Sequence, residues 1–308
     1  MYIIDKKFKT LTSIFNTLSL EEIYENIKEK YLIIPDATKD SLEKFLDEFP
    51  YWGRLKRYEN DYEELYNRAI SLKEHVDDYI TLYNNLCDYR SKKLLYSILS
   101  NWYQFDFNSI EESFEKNFSH YFDLDIVKCD KNEVVVDAGA FIGDTVIDYI
   151  NNYGIQNYKK IYCYDITQSN IEALKINLKN YPNIICYNKA LSNNQEPLYI
   201  SQNSISTSAN MVTQNGSEKI ESSTLDIDIK EPITLIKMDI EGYEKKALEG
   251  AKNHITNDKP KLLISVYHNH EDLWKIPKII REYNKNYKFY LRCYGTRIFP
   301  TEIVLIAI

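Results

Sequence analysis

Five residues in the second half of this chain stand where chemistry would need them: Asp137, Asp165, Asp239, Glu241 and His268. Asp137 closes the run Val134-Val135-Val136-Asp137, which breaks at once into Ala138-Gly139-Ala140-Phe141-Ile142-Gly143. The pattern predicts a buried strand feeding a tight turn that opens a helix, with bare backbone N–H groups brought up to a ligand. The kind of ligand follows from a missing residue. A dinucleotide fingerprint needs glycines in the order G-x-G-x-x-G to admit a pyrophosphate, and Phe141 stands at the middle position. The order D-x-G-x-x-x-G suits S-adenosylmethionine instead, whose aminoacyl end is zwitterionic: Asp137 would hold the ammonium and the turn amides the carboxylate. Asp165 ends a second strand, Lys160-Ile161-Tyr162-Cys163-Tyr164-Asp165, 22 residues after Gly143. That spacing suits a carboxylate gripping both ribose hydroxyls.

The run Lys237-Met238-Asp239-Ile240-Glu241-Gly242-Tyr243-Glu244 delivers one carboxylate at a strand end and another two residues on. His268 follows the next strand. Moving a methyl group onto a hydroxyl requires removal of that hydroxyl's proton, and a neutral imidazole suits the task near neutral pH. His268 is the candidate base, with Asp239 or Glu241 orienting it or binding the acceptor. The plainer readings are a histidine hydrogen-bonded at a strand end and an aspartate capping the following helix. Two carboxylates and a histidine also suit a divalent metal, and nothing in the sequence selects that over hydrogen bonding. Tyr267, Arg292, Tyr294 and Glu302 stand at the predicted ends of the last strands and offer hydrogen-bonding groups to an acceptor. His75, His120, His254 and His270 read as surface or core residues.

The elements that must position these groups divide the chain at about residue 125. Residues 1–125 carry helix signals without a convincing strand, whereas residues 126–308 alternate β-rich and helical runs. Strands are predicted near 133–138, 160–165, 183–188, 233–239, 261–267, 287–294 and 302–308, and helices near 143–152, 168–179, 243–251 and 271–284. The last two strands are joined too briefly for a helical crossover and must be antiparallel. The expected fold is α/β: a doubly wound, mostly parallel seven-stranded sheet of the Rossmann-like class I methyltransferase layout, with the last strand antiparallel. Residues 192–224, rich in Ser, Asn, Gln and Thr, interrupt the rhythm and predict a hairpin with a mobile loop, either a lid or a surface insertion.

In the first part, Ser19-Leu20-Glu21-Glu22 offers a capping box for a helix to about Tyr31, and Asp40-Ser41-Leu42-Glu43 starts another that stops near Pro50. From Asn60 to about Tyr89, Leu65, Ala69, Leu72, Val76, Tyr79, Tyr83 and Leu86 form a heptad stripe. It fits a coiled-coil seam, making a homodimer through the N-terminal helices, or a helix packed in a small bundle of its own chain.

Composition narrows the partners. The net charge of −8, with no dense Lys/Arg cluster, argues against nucleic acid. Five scattered cysteines without C-x-x-C spacing read as reduced. No apolar run approaches a bilayer span and no leader pattern opens the chain, so a cytoplasmic protein is expected.

Residues 130–308 resemble the FkbM family of S-adenosylmethionine-dependent methyltransferases. The matching runs are Val136-Asp137-Ala138-Gly139-Ala140-Phe141-Ile142-Gly143-Asp144-Thr145, Asn188-Lys189-Ala190-Leu191-Ser192, Thr224-Leu225-Asp226, and Ile236 to Glu244 with Leu248-Glu249-Gly250-Ala251. His268, Arg292 and Glu302 also stand where such proteins tend to carry these residue types. The resemblance implies O-methylation, often of sugars on surface polysaccharides or of polyketide-type metabolites. It implies cofactor contacts along Asp137, Ala138, Gly139, Ala140, Phe141, Gly143, Asp144 and Thr145, then at Asp165, Ile166, Asn188, Lys189 and Ala190. One departure is Tyr164-Asp165-Ile166, which stands where many members have Glu followed by Pro. Asp88 to Lys92 resembles a lead-in found in members from carbohydrate gene clusters, and residues 1–85 match no family. Two rival readings are a nicotinamide-dependent oxidoreductase and a scaffold that binds the cofactor without turnover.

Overall fold

The structure, a computed structural model, describes residues 2–49, 51–201, 210–213, 218–296 and 298–308. It falls into two compact units. The first comprises Met1–Lys116, Val266–Pro277 and Lys288–Leu305, and the second Asn117–Ser265, Lys278–Tyr287 and Ile306–Ile308. The stretch after Lys116 packs within the second unit: Phe122 lies edge-on to Tyr149 and Tyr153.

The first unit opens with α1 (Ile3–Thr17), α2 (Leu20–Ile33) and α3 (Asp36–Glu48). The expected capping box starts α2: the Ser19 N–H donates to Glu22 at 2.8 Å, and the Glu22 N–H to the Ser19 hydroxyl at 3.2 Å. α3 begins four residues earlier than expected, because Pro35 holds the N-cap position with an extended backbone that a helix start accepts. The long helix expected from 60 to 89 is instead α4 (Glu63–Glu74) and α5 (Val76–Asn85). The break falls at His75, which caps both helices and stacks its ring on Trp274 at 4.0 Å. α6 (Tyr89–Gln104) and α7 (Phe107–Glu111) complete this run.

Every residue of the heptad stripe is buried, with Leu65, Ala69, Leu72 and Tyr79 at 0% exposure. The chain's own bundle covers it, α2 lying against α4 and α6. This overturns the dimer-seam reading, because a stripe already enclosed has no apolar face left for a second copy.

After α7 the chain continues with β1 (Val134–Ala138), α8 (Asp144–Tyr153), β2 (Lys160–Asp165), α9 (Gln168–Asn177) and β3 (Ile184–Asn188). β4 (Ala190–Leu191), β5 (Leu198–Ser201), β6 (Met211–Thr213), β7 (Glu218–Ile220) and β8 (Ser222–Ser223) follow, then α10 (Leu225–Asp228) and β9 (Leu235–Met238). α11 (Glu244–Glu249), α12 (Lys252–Asn257), β10 (Lys261–Ser265) and α13 (Asp272–Tyr283) lead to β11 (Phe289–Cys293) and β12 (Ile303–Ala307). The main sheet is mostly parallel and has seven strands, ordered β11-β12-β10-β9-β1-β2-β3, with the last strand antiparallel. β1 is buried at every position, as a parallel strand covered on both faces must be.

The expected hairpin over 192–224 is a three-stranded antiparallel sheet, β6-β5-β7. Its apolar face, formed by Leu198, Ile200 and Ile220, closes on Ala190 and packs Ile166, Val212 and Tyr243 against it. The mobile loop expected there falls on residues 202–209 and 214–217, outside the described residues.

Candidate active site

The glycine turn lies between the carboxyl ends of β1, β2 and β9. Gly139 adopts φ +76°, and a Cβ there would sit 1.7 Å from the Asp239 carbonyl oxygen. No side chain fits, so the turn and the end of β9 are in backbone contact. The N–H groups of Gly139 and Ala140 both donate to the Tyr164 carbonyl at 2.9 Å. Phe141, at the position where a dinucleotide site has glycine, takes a left-handed conformation with φ +44°. Such a backbone costs a non-glycine residue about 1–2 kcal/mol; here its N–H is turned onto Asp165 Oδ2 at 3.0 Å.

Asp137 and Lys237 are register partners on the neighbouring strands β1 and β9. Both are nearly inaccessible, at 2% and 3%, and Lys237 Nζ lies 3.0 Å from Asp137 Oδ1. The same ammonium donates to the carbonyls of Gly139 at 2.8 Å and Ala138 at 3.4 Å. Burial pushes the Asp137 carboxyl up against the pull of Lys237. Burial also works against the Lys237 charge, but Asp137 and Asp239 more than offset it and hold the ammonium above its ordinary value.

Asp239 follows β9 and is half-buried. The Tyr121 hydroxyl donates to its Oδ2 at 2.5 Å, and the Tyr121 ring lies 5.1 Å from Lys237 Nζ. His120 stacks on that ring at 3.9 Å and within 5° of parallel; burial pushes its pKa down to about 4, leaving it neutral at ordinary pH. Beyond Asp239, Glu241 takes φ +55° and Gly242 φ +92°, and the buried Glu244 accepts the Ile240 N–H at 2.9 Å. The tight turn that carries both acids is thereby closed.

Asp165 ends β2 at 9% exposure. Its Oδ1 accepts from the Thr167 N–H at 2.8 Å and from Asn170 Nδ2 at 3.1 Å. Burial pushes its pKa up to about 6 against those donors and the Phe141 N–H. A carboxylate oxygen has two acceptor positions. Among the described residues Oδ1 accepts two of these donors and Oδ2 one. Asn188 supports the same strand end, its Nδ2 donating to the Asp165 carbonyl at 3.1 Å.

A cleft of about 450 Å³ opens here, with Gly139, Asp239 and Glu241 along one wall and Tyr164, Asp165 and Ile166 along another. Asn210 and Val212 of the inserted sheet also line it, as do Lys189 and Ala190. The Methyltransferase FkbM domain model matches residues 137–291, half of the chain. The chain belongs to the FkbM methyltransferase family. Among solved structures, the methyltransferase FkbM from Methylobacillus flagellatus KT shares its fold at a TM-score of 0.66 and 23% identity, over 78% of this chain. This chain spans 62% of that protein's length. An rRNA methylase from Streptococcus thermophilus aligns with TM-score 0.37 and 16% identity over 61% of this chain and 92% of its own. Aeropyrum pernix fibrillarin, in complex with natively bound S-adenosyl-L-methionine, aligns with TM-score 0.38 and 8% identity over 58% and 67%. No curated protein matches the chain.

The cleft of this FkbM-family chain fits the family's cofactor. Asp165 offers an acceptor for ribose, and Ile166 and Val212 give an apolar flank for a base.

Not every expected contact reaches the cleft. Asp137 is closed on Lys237, Asp144 is exposed at the start of α8, and Thr145 lines a small internal void with Asp137 and Lys237. Ala138 and Ala140 are buried, and a Cβ on Gly143 would press on Leu178 at 3.0 Å. Lys189 Nζ pairs with Glu221 at 3.2 Å and Asp228 at 3.6 Å.

In the first unit, His268 is fully buried, with Tyr267 at 4.2 Å and Tyr51 at 5.7 Å from its ring. The Tyr267 hydroxyl donates to Glu302 Oε1 at 3.2 Å, and the Tyr294 N–H to the Glu302 carbonyl at 3.0 Å. Arg292, at 3% exposure, donates to Asp88 Oδ2 at 2.7 Å and to the Ser91 hydroxyl at 3.0 Å, and so anchors β11 to the start of α6. Sequence reasoning missed Tyr121, and it passed over Lys237 although that lysine stands in the richest run of the chain.

Proposed function

We propose that this chain transfers the methyl group of S-adenosylmethionine to a hydroxyl of a sugar in a surface polysaccharide or glycoconjugate. The observation that carries the reading is the cleft where the Gly139 turn, the Asp165 carboxylate and the Asp239–Glu241 turn converge. When bound, the cofactor supplies a methyl group already activated by positive sulfur. The protein's part is then mainly to hold two reactants in line, an effect worth about 7–11 kcal/mol in the best intramolecular cases.

Asp165 would accept a ribose hydroxyl, and Glu241 would accept hydrogen bonds from the acceptor's hydroxyls. Three acids lining the cleft, Asp165, Asp239 and Glu241, favour a neutral, hydroxyl-rich acceptor over a phosphorylated one, since like charges brought together in a partly desolvated site repel strongly. His268 is the proposed base; it stands three residues after β10, the parallel neighbour of β9. The sugar reading rests further on the resemblance of residues 88–92 to the carbohydrate-cluster lead-in.

The test is calorimetry with S-adenosylhomocysteine, followed by incubation with methyl-labelled S-adenosylmethionine and a surface-glycan extract. Saturable heat and base-stable label on glycan are expected. No heat at concentrations that saturate enzymes of this class would end the reading, and label on protein or lipid alone would end the sugar assignment.

A further inference from the structure

His268, the base proposed above, stands in the connection Val266–Glu271 between β10 and α13. A base serves catalysis only when its nitrogen is held at the proton it removes, so this connection must be fixed. At one end the Val266 N–H donates to the Ile303 carbonyl at 2.9 Å, and near the other the Asn269 N–H donates to Asp272 Oδ2 at 2.8 Å. Neither bond reaches Tyr267 or His270, the residues on either side of the imidazole and its neighbour.

The N-terminal helices supply those ties. Met1–Lys116 and Val266–Pro277 fall in one compact unit. Before His268, the Trp52 indole N–H donates to the Tyr267 carbonyl at 2.8 Å. After it, the Tyr79 hydroxyl of α5 donates to the His270 carbonyl at 3.3 Å. The His270 ring lies edge-on to Trp102 of α6 at 4.9 Å, with Nε2 3.4 Å from Glu64 Oε1 of α4. Each of these groups is itself locked. Trp52 is 3% exposed, packs on Phe299 at 4.4 Å, and its carbonyl accepts from Asn67 Nδ2 at 2.9 Å. The Tyr79 hydroxyl also lies 2.6 Å from Ser71 Oγ. Glu64 accepts from Arg68 Nε at 2.5 Å, both residues being fully buried, and the guanidinium rests over the rings of Phe105 and Phe299 at 4.9 and 5.3 Å. A buried ion pair adds little stability over apolar residues of similar volume, and its best-attested use is to select one arrangement among several. What this pair touches in the connection is His270.

We infer that Trp52, Tyr79 and the Glu64–Arg68 pair are positioning residues for His268. This rests on the function proposed above, with His268 as its base. The helical region lies outside the segment that the family model matches, residues 137–291, yet it is a working part of methyl transfer. Its residues act through the backbone on both sides of the imidazole, not on a reactant.

The test asks whether the effect passes through His268. Trp52→Phe keeps an aromatic ring and removes the N–H, and Tyr79→Phe removes one hydroxyl. Misplacing a reacting group by about 1 Å costs on the order of a hundredfold, so with methyl-labelled S-adenosylmethionine and the glycan extract each variant should lose about ten- to a hundredfold in kcat. The acceptor KM and the dissociation constant of S-adenosylhomocysteine should stay within about threefold of the parent, because uniform binding is untouched. In a His268→Ala background the same two substitutions should lower kcat no further, since residues that act as a unit are not additive. A merely structural role would repeat its loss there. Parent-like kcat in both variants, or a loss repeated in the His268→Ala background, overturns the inference and leaves the proposed function standing. If His268→Ala turns over like the parent, the base and its positioning fall together while methyl transfer stands. A parent that transfers no methyl group ends the function, and the inference with it. Should Trp52→Phe prove unfolded by circular dichroism, Tyr79→Phe decides: a kcat equal to the parent's refutes the positioning.

Discussion

Lys237→Met is the most demanding test of the site's construction. The substitution keeps the length and most of the volume of the side chain and removes only its charge and three hydrogens. In the parent those hydrogens meet Asp137 at 3.0 Å and the carbonyls of Gly139 and Ala138 at 2.8 and 3.4 Å, all where water has no access. Removing one partner of a buried ion pair leaves the other charge uncompensated, which typically costs about 3–5 kcal/mol. That is about a fifth or more of the ~5–15 kcal/mol that keeps an ordinary domain folded. Part of the loss should return when the stranded acid is removed as well, because replacing both partners by apolar groups is often close to neutral. A cycle of Lys237→Met, Asp137→Leu and the double variant, measured by urea unfolding, should therefore give a coupling of about 2–3 kcal/mol, at the upper end for residues in contact. The two strands contribute these residues from positions 100 apart in sequence but opposite in register, so the coupling reports sheet assembly directly. A single Lys237→Met variant that loses less than 1 kcal/mol, or a double variant whose losses simply add, would refute the view that this pair is closed and buried.

Other consequences are as specific. Gly139→Ala must force its Cβ into the Asp239 carbonyl, 1.7 Å away, so cofactor affinity should fall more than tenfold and stability by about 2–4 kcal/mol; parent-like calorimetry would show the turn to be pliable. Asp165 has its pKa pushed up to about 6 by burial, so the folded protein binds its proton more tightly than the unfolded chain, and this group's contribution to stability falls as pH rises from about 4 through 6. A ribose hydroxyl is held more strongly by the ionised form, so S-adenosylhomocysteine affinity should strengthen as pH rises through about 6, by at most roughly tenfold per unit below it; Asp165→Asn should flatten that dependence, and an unaltered profile would detach Asp165 from the cofactor. Arg292→Ala should destabilise the protein by about 3–5 kcal/mol without changing cofactor affinity in the folded fraction, whereas an acceptor-binding arginine would show itself in KM with stability intact. His268→Ala should keep cofactor affinity and lose about a hundred- to ten-thousand-fold in turnover; unchanged turnover removes His268 from the chemistry.

What could be read from the sequence was whatever a local rule controls. β1, β2, β9 and β10 announce themselves because a strand buried on both faces must be a continuous apolar run, and α2 because Ser19 and Glu22 satisfy each other three residues apart. The break at His75 was illegible because the stripe continues across it. What interrupts the helix is a ring stacked on Trp274, 199 residues further along. Tyr121 was illegible for the same reason, standing in a stretch with no periodicity and meeting its partner only 118 residues later. The partner of Asp137 required knowing that β1 lies beside β9 in that register. Counting acids at strand ends locates the site, but only the pairing assigns their work.

That assignment follows from how many donors each carboxylate has already accepted. Asp137, Asp165 and Asp239 all stand at the ends of parallel strands, where ligands of open α/β sheets bind, and by position alone any of them could face the cofactor. Asp137 has a full positive charge at 3.0 Å and almost no exposure; recruiting it would cost the desolvation of two ions. Asp165 has three N–H donors on its two oxygens, which fixes its orientation and leaves room for one more neutral donor, a hydroxyl. Asp239 is half-buried, lines the cleft, accepts from the Tyr121 hydroxyl and, with Asp137, helps hold the Lys237 ammonium charged. Three acids at neighbouring strand ends thus stand in three different electrostatic settings, which position in the sequence alone does not distinguish.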